Sequence, residues 1–291
     1  MMYTTIRGML SLTLSVSMLP LFGSTPAIGV IVADGSFRVD HSLIWDNATL
    51  FAGNLVETGQ SSTQLQLQNG SHVRLASDSR ARVFDSRLVL ERGIGQLESS
   101  NYRIEAGGLQ ISSETKAGVA RVQVTDSSRV IVAAYQGGVR VVNRDNVLVA
   151  ALEPGNELAF EPQPASTSVT KVSGCLTEAG GKFILADRTT GVREELRGAG
   201  IEKEVGNQVE VTGTADTAGP SAPGTSQIVY VDSVKRIAKG GCASAAAAGA
   251  GLSSAAIVAI VGGVAVTGSL VGLAVVHALP GQSQSQPATS R

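Results

Sequence analysis

The sequence predicts an all-β protein in two modules, and three observations carry that prediction. Between Ile28 and Lys239 the chain is a succession of short segments in which apolar and polar residues alternate, among them "QLQLQ", "HVRLA", "GVRVV" and "KFILADR". Such alternation marks strands with one buried face. The chain also holds 34 glycines, and Asn-Gly, Asp-Gly, Gly-Gly and Pro-Gly pairs fall between the segments, where turns need them. Finally, no segment of residues 28–162 sustains a helical apolar period with caps.

The first element is a secretory signal over residues 1–27. "MMYTTIR" carries one positive charge, "GMLSLTLSVSMLPLF" is an uncharged apolar run, and "GSTPA" supplies small residues before a cut after Ala27. The alternative is an uncleaved N-terminal anchor, and either exports the body. "VIVADGSFRV" follows, and a type I′ turn at Asp34-Gly35 would pair Val32 with Phe37 and Val30 with Val39.

"STQLQLQNGSHVRLA" (62–76) poses a register problem. A two-residue turn at Asn69-Gly70 would put Leu65 and Leu67 on one face with His72 and Arg74. A three-residue loop, Gln68-Asn69-Gly70, with Gly70 in the left-handed region, instead pairs Leu65 with Val73 and Thr63 with Leu75. The apolar pattern selects the longer loop, because a one-residue slip flips every side chain. An arc between solenoid coils also accommodates this pattern. Further strands follow in "RLVLERG", "RVIVAAY", "GVRVV", "VLVAAL" and "ELAF", with a type II turn at Pro154-Gly155. Residues 28–162 are therefore a β domain, either a sandwich or a short β-solenoid.

Residues 51–99 resemble the FecR domain through Gly53-Asn54-Leu55, Thr58-Gly59, Ser61-Ser62, Asn69-Gly70-Ser71 and Leu90-Glu91-Arg92-Gly93. "VIVAAYQGGVRVVN…LVAALEPGNELAF" is similar to that family's closing strands, so the resemblance covers about 28–162. Asn stands at 54 and 69 where the family usually has Asp. The resemblance implies an exported β domain used for interaction in the envelope. The family's regulation of sigma factors does not transfer, because a signal peptide occupies the end where the cytoplasmic anti-sigma segment would lie.

A Pro/Ser linker (163–169) leads to a second module, 170–242. Three strands, a short helix-like connection and two more strands give the order of a small OB-like barrel. It resembles small bacterial OB-fold modules that open on a Gly-Cys-Leu strand. OB folds often bind single-stranded nucleic acid, but nine basic residues face nine acidic ones here, and Phe183 and Tyr230 are the only aromatics. Nucleic acid is excluded as the expected partner. Cys175 and Cys242 bracket the module, and two cysteines in an exported domain read as one disulfide.

The C-terminal element, 253–279, is expected to be a transmembrane helix, followed by a short tail, 280–291. No charged residue lies between Cys242 and Arg291, and the apolar run is long enough to span a bilayer. Gly268 and Gly272 form a GxxxG through which copies could self-associate as a homo-oligomer. Export leaves Lys235, Arg236 and Lys239 outside, against the positive-inside tendency, which a large translocating domain overrides.

Chemistry-bearing residues are sparse. With three histidines scattered and two cysteines, the sequence offers no catalytic, metal or cofactor set. The candidate interaction residues are Trp45, Arg74 and Arg82. Trp45 is either a binding platform or core beside Leu43 and Ile44. The arginines, interspersed with Asp78, Asp85 and Glu91, either meet anionic envelope polymers or form a solvated mixed face. The expected function is a non-enzymatic envelope protein that presents both β domains to a protein or glycan and is tethered by the C-terminal helix, with signal reception as one use. The alternative is a soluble periplasmic ligand-binding module whose Gly/Ala-rich tail mediates assembly.

Overall fold

The computed structural model describes residues 26–99, 101–125, 129–162, 169–216, 221–240, 242, 256–261 and 264–267. The signal over 1–27 (except Pro26 and Ala27), Gly268, Gly272 and the tail 280–291 lie outside the described residues. So does the linker, apart from Val169.

The chain opens on an antiparallel pair, β1 (Ala27–Val39) and β2 (Ser42–Phe51). Asp34-Gly35 does not turn the chain, contrary to the type I′ expectation. It lies in a bulge of β1, where Val32 faces Asn47 and Ser36 faces Trp45 across β2, and Gly35 has φ 136°. The tight turn comes later, at Asp40 and His41, with φ 47° and 71°, and Val39 pairs with Ser42. Turns and bulges both recruit Gly and Asp, so that signal alone does not separate them. The burial pattern does. Ile28, Ile31 and Ala33 are buried, whereas Val30 and Val32 point outward.

After β3 (Leu55–Thr58) come β4 (Thr63–Leu67) and β5 (His72–Leu75). Their register is the one the apolar pattern selects: Leu65 opposite Val73, Thr63 opposite Leu75, and Gly70 at φ 82°. Leu65, Val73 and Leu75 are fully buried, and Arg74 points away. The domain continues through β6 (Arg80–Val83), β7 (Arg87–Glu98), β8 (Arg103–Ala106), β9 (Leu109–Ser113), β10 (Val119–Val124), β11 (Val130–Gln136), β12 (Val139–Val142), β13 (Leu148–Leu152) and β14 (Glu157–Pro162).

Pairing sorts these strands into two layers that share β1 and β7. In the upper layer the first half of β1 pairs with β4, β4 with β5, and β5 with the second half of β7, which continues to β10, β11 and β14. In the lower layer the second half of β1 pairs with β3, β3 with β6, and β6 with the first half of β7, which continues to β8, β9, β12 and β13. Strands that change layers do so at bulges or bends. The bulge at 33–35 serves β1, and Gly93, at φ 89° with a hypothetical Cβ only 2.5 Å from Ser79 Cα, serves β7. Of the two architectures left open by the sequence, the sandwich is the one observed. Its core includes Phe37, Leu65, Leu88, Leu97, Ile104, Ile111 and Phe160.

The second module is a closed barrel of β15 (Val169–Ala179), β16 (Lys182–Ala186), β17 (Arg193–Arg197), β18 (Gln208–Asp216) and β19 (Ile228–Ala238), with a 3-10 helix at Ile201–Glu204 after the third strand. Around the barrel the order is β15-β16-β17-β19-β18, with β17 and β19 parallel, which is the OB topology. Gly174 of the "GCL" strand sits where β15 passes against the Ala186 carbonyl, and any Cβ there would collide with it. The two modules touch where the Ala151 N–H donates to Thr190 O at 2.6 Å.

The expected helix over 253–279 is corrected for the described part of that segment. β20 (Ala256–Val261) and β21 (Val264–Thr267) are strands, with β20 parallel to β14 and β21 folding back on β20. No helix among the described residues is long and apolar enough to cross a membrane. A continuous run of Ala, Val and Ile is ambiguous between buried strand and helix. Here the open edge of β14 supplies backbone partners, and the β-branched side chains suit the extended form.

Candidate interaction surface

The outer faces of the two layers differ in charge chemistry. On the lower layer four arginines, Arg80, Arg82, Arg87 and Arg103, lie within 4.0 Å of a glutamate. Arg80 bonds Glu57 at 3.0 Å and Glu91 at 2.8 Å, while Arg87 and Arg103 meet Glu105 at 3.4 and 3.0 Å. Arg82 belongs to this face, 4.0 Å from Glu91 and 3.3 Å from the Gly53 carbonyl. It is therefore not grouped with Arg74.

Arg74 lies on the upper layer, where registers align a row of Cα partners. Asn47, Val32, Gln64, Arg74, Gln96 and Arg121 follow one another across β2, β1, β4, β5, β7 and β10. A second row runs Thr49, Val30, Gln66, His72 and Glu98. With strands about 4.8 Å apart, the longer row spans roughly 24 Å. Among the described residues Arg74 and Arg121 make no ion pair, and Arg121 donates to the Tyr135 hydroxyl at 3.1 Å. This face presents amide, guanidinium and imidazole groups, with Glu98 opposite His72, and Arg129 pairs with Glu161 farther along the layer.

Trp45 sits past the β1 bulge, opposite Ser36, where β1 has entered the lower layer. Past the β1 bulge, Phe37 and its partner Ile44 turn inward, so Trp45 and Leu43 turn out, 65% and 57% exposed. Among the described residues β2 pairs only with β1, which makes Trp45 an edge-strand residue rather than core. An open groove lined by Asp78, Arg92, Gln123 and Thr125 lies beside the β7 bend.

The Asn residues at 54 and 69 knit turns in a way Asp could not. Asn54 Oδ1 accepts from the Phe51 N–H at 2.7 Å, and its amide donates to Asp40 Oδ2 at 2.6 Å. Asn69 accepts from the Ser71 N–H and donates to the Asp85 carbonyl, both at 2.9 Å. A carboxylate at 54 would face Asp40 without a donor. The FecR-resembling positions serve turns and core, with Thr58 buried and accepting from the Ser79 N–H at 2.7 Å.

In the barrel, two buried carboxylates in "REELR" stand outside the candidate residues that the sequence offers. Glu194 lies in a small cavity against Val147–Val149 of the first module, where it accepts from Gln227 Nε2 at 2.7 Å. Burial pushes its carboxyl up to about 7; the Gln227 bond opposes that shift and the Asp187 charge adds to it. Glu195 faces the other way and accepts from Lys182 at 3.1 Å, Arg197 at 2.8 Å and the Ala222 N–H at 2.6 Å. Burial alone would raise its pKa, but those donors outweigh it and hold the carboxyl below the usual range. The signal that points to them is two adjacent acids in a strand, which alternation sends to opposite faces, both of them covered here. The loop segment around buried Ala222 is pinned on Glu195 through the Ala222 N–H.

Cys175 and Cys242 are brought together as thiols at one end of the barrel. Cys242 donates to the Asn207 carbonyl at 3.0 Å, and its thiol is pushed up to about 11, first by burial and then by the adjoining Cys175 thiol. Among the described residues no group of three or more His, Cys, Asp or Glu side chains could hold a metal ion.

No protein-family model matches the chain, and no curated protein matches it. Among solved structures it is similar to the crystal structure of the Cpx pathway activator NlpE from Escherichia coli, at 10% identity and a TM-score of 0.21, over 75% of this chain and 99% of that one. A likeness that slight carries no argument about fold or function.

Proposed function

We propose that the protein is a non-enzymatic, exported cell-envelope protein whose sandwich presents its upper face to an envelope glycan or protein. The observation that carries this reading is the Gln64–Arg74–Gln96–Arg121 row, a polar strip in which Arg74 and Arg121 make no ion pair among the described residues, set against the Arg80–Glu57–Glu91 and Arg87–Glu105–Arg103 clusters of the lower face. Side chains standing at strand spacing suit an extended polymer, because each strand step offers another donor or acceptor. The N-terminal signal read from the sequence and the resemblance of 28–162 to FecR domains support the envelope setting. The barrel acts as a companion module, because the cations flanking β17 are bound to Glu195.

The test is co-sedimentation of the purified protein with isolated cell-wall polymer, alongside cross-linking to solubilised envelope proteins. Binding to one of the two should fall about tenfold or more in the double variant Arg74→Ala/Arg121→Ala and stay unchanged in Arg82→Ala. Equal loss in both variants, or chemical turnover of the bound polymer, would overturn the reading.

A further inference from the structure

β14 ends the upper layer. One of its edges is bonded to β11, and the other receives β20 in parallel, with Leu158 opposite Ala256 and Pro162 opposite Ile260. Stripped of β20, this edge keeps only the two glutamates and the terminal Pro162 as defences against pairing with another chain. Glu157–Glu161 holds no Lys, no Pro and no bulge, and Pro162 comes only at its end.

The segment that covers the edge has the opposite character. "AIVAIV" and "VAVT" are uncharged, Pro-free and rich in β-branched residues, which is the composition of segments that pair repeatedly as strands. Residues 239–255, mostly Ala, Gly and Ser, join it to the barrel, and a connection of that length can reach on the order of 50 Å. By length alone, the connection admits β20 on its own β14 or on that of a neighbour.

We infer that the β14 edge is a strand-acceptor site and that β20, Ala256–Val261, is its ligand, exchanged between copies of this chain so that the protein assembles through its own C-terminal segment. Each copy then offers one acceptor edge and one donor strand. Reciprocal exchange closes a dimer, and head-to-tail exchange gives a ring or an open filament. The inference is independent of what the upper face binds.

Cysteine cross-linking in the full-length chain, with Cys175 and Cys242 replaced by Ser, tests it. Ala159 and Ile257 are Cα partners, whereas Thr267 is separated from β14 by β20. Mixing an Ala159→Cys copy with an Ile257→Cys copy under oxidation should give a cross-linked heterodimer, with at least a tenfold lower yield when Thr267→Cys replaces Ile257→Cys. An Ile257→Pro change in the donor should lower the oligomeric state of the otherwise natural protein. A 159–257 cross-link that forms only within one chain at every concentration would overturn exchange. Absence of any such cross-link, or protection of 256–279 by a lipid bilayer, would overturn the acceptor site itself.

Discussion

Glu194 makes the stability of this protein depend on pH with a definite sign. Its side chain is buried, 7% exposed, against the Val147–Val149 wall of the neighbouring module. Burial raises the carboxyl from an ordinary 4.5 to about 7 in the folded chain. The folded state thus holds this proton more tightly than the unfolded state. The resulting stabilisation is fully present below about pH 4.5 and is lost as pH rises through about 7. At about 1.36 kcal/mol per pH unit the rise is worth about 3 kcal/mol in total, of which roughly 2–3 kcal/mol disappears between about pH 5 and pH 8. Glu194→Gln keeps the size and the acceptor for Gln227 Nε2 but cannot ionise. Urea unfolding of both proteins at about pH 5 and pH 8 isolates the effect, since every other ionisable group is common to both. The variant should match the natural protein at the lower pH and exceed it by roughly 2–3 kcal/mol at the higher. Parallel pH dependence in the two proteins would refute the buried, protonated carboxyl.

Leu65→Ala should cost about 2–4 kcal/mol in urea unfolding and Arg74→Ala less than about 0.5, as the three-residue loop requires; equal costs would refute the register. Non-reducing peptide mapping of protein taken from an oxidising compartment should join the Cys175 and Cys242 peptides, and chain entropy assigns the bond about 4 kcal/mol for a loop of that length. Two free thiols in that material would remove the bridge. Asn54→Asp should destabilise by about 1–3 kcal/mol, because it replaces the donor to Asp40 with a second carboxylate. Urea unfolding measures that cost; a variant as stable as the natural protein would argue against the Asp40 contact. Deleting 217–225, which by composition looks harmless, should lower the stability of the barrel by stripping the Ala222 N–H from Glu195. Unchanged hydrogen exchange in β17 would show that the loop pins nothing.

The legible parts of this fold are those in which local pattern and tertiary packing ask for the same thing. Leu65, Val73 and Leu75 must share a buried face, so the 62–76 register follows from the order of apolar and polar residues alone. The barrel's strand order is legible for a similar reason, since five alternating segments and one short connection admit few closed arrangements. Asp34-Gly35 misleads because a bulge and a turn use the same residues, and the choice rests on whether β1 crosses between layers, a tertiary matter. The 256–267 segment misleads because an uncharged Ala/Val/Ile run fits a bilayer as well as a sheet edge. Of the candidate site, Arg74 stands exposed on the upper face, whereas Trp45, past the β1 bulge, and Arg82 belong to the lower layer. Glu194 escapes a reading by pattern because its importance comes from Val147–Val149, which lie in another module.

The sharing of β1 and β7 between layers has a consequence for how the sandwich comes apart. Two separately strung sheets can peel from one another along their interface. These cannot, because the backbone of β7 passes from one to the other at Gly93, and β1 does the same at Gly35. Loss of either sheet drags on strands of its counterpart, so the sandwich should behave as one cooperative unit with no weak seam. Amides in β5 and β6, which lie on opposite sheets, should therefore exchange with solvent through the same global opening. The assembly route is correspondingly demanding. Closing the circuit requires β1 to find β3 and β4 while β7 finds β5 and β6, so the nucleus must gather contacts distant in sequence, and folding should be slow for a domain of this size.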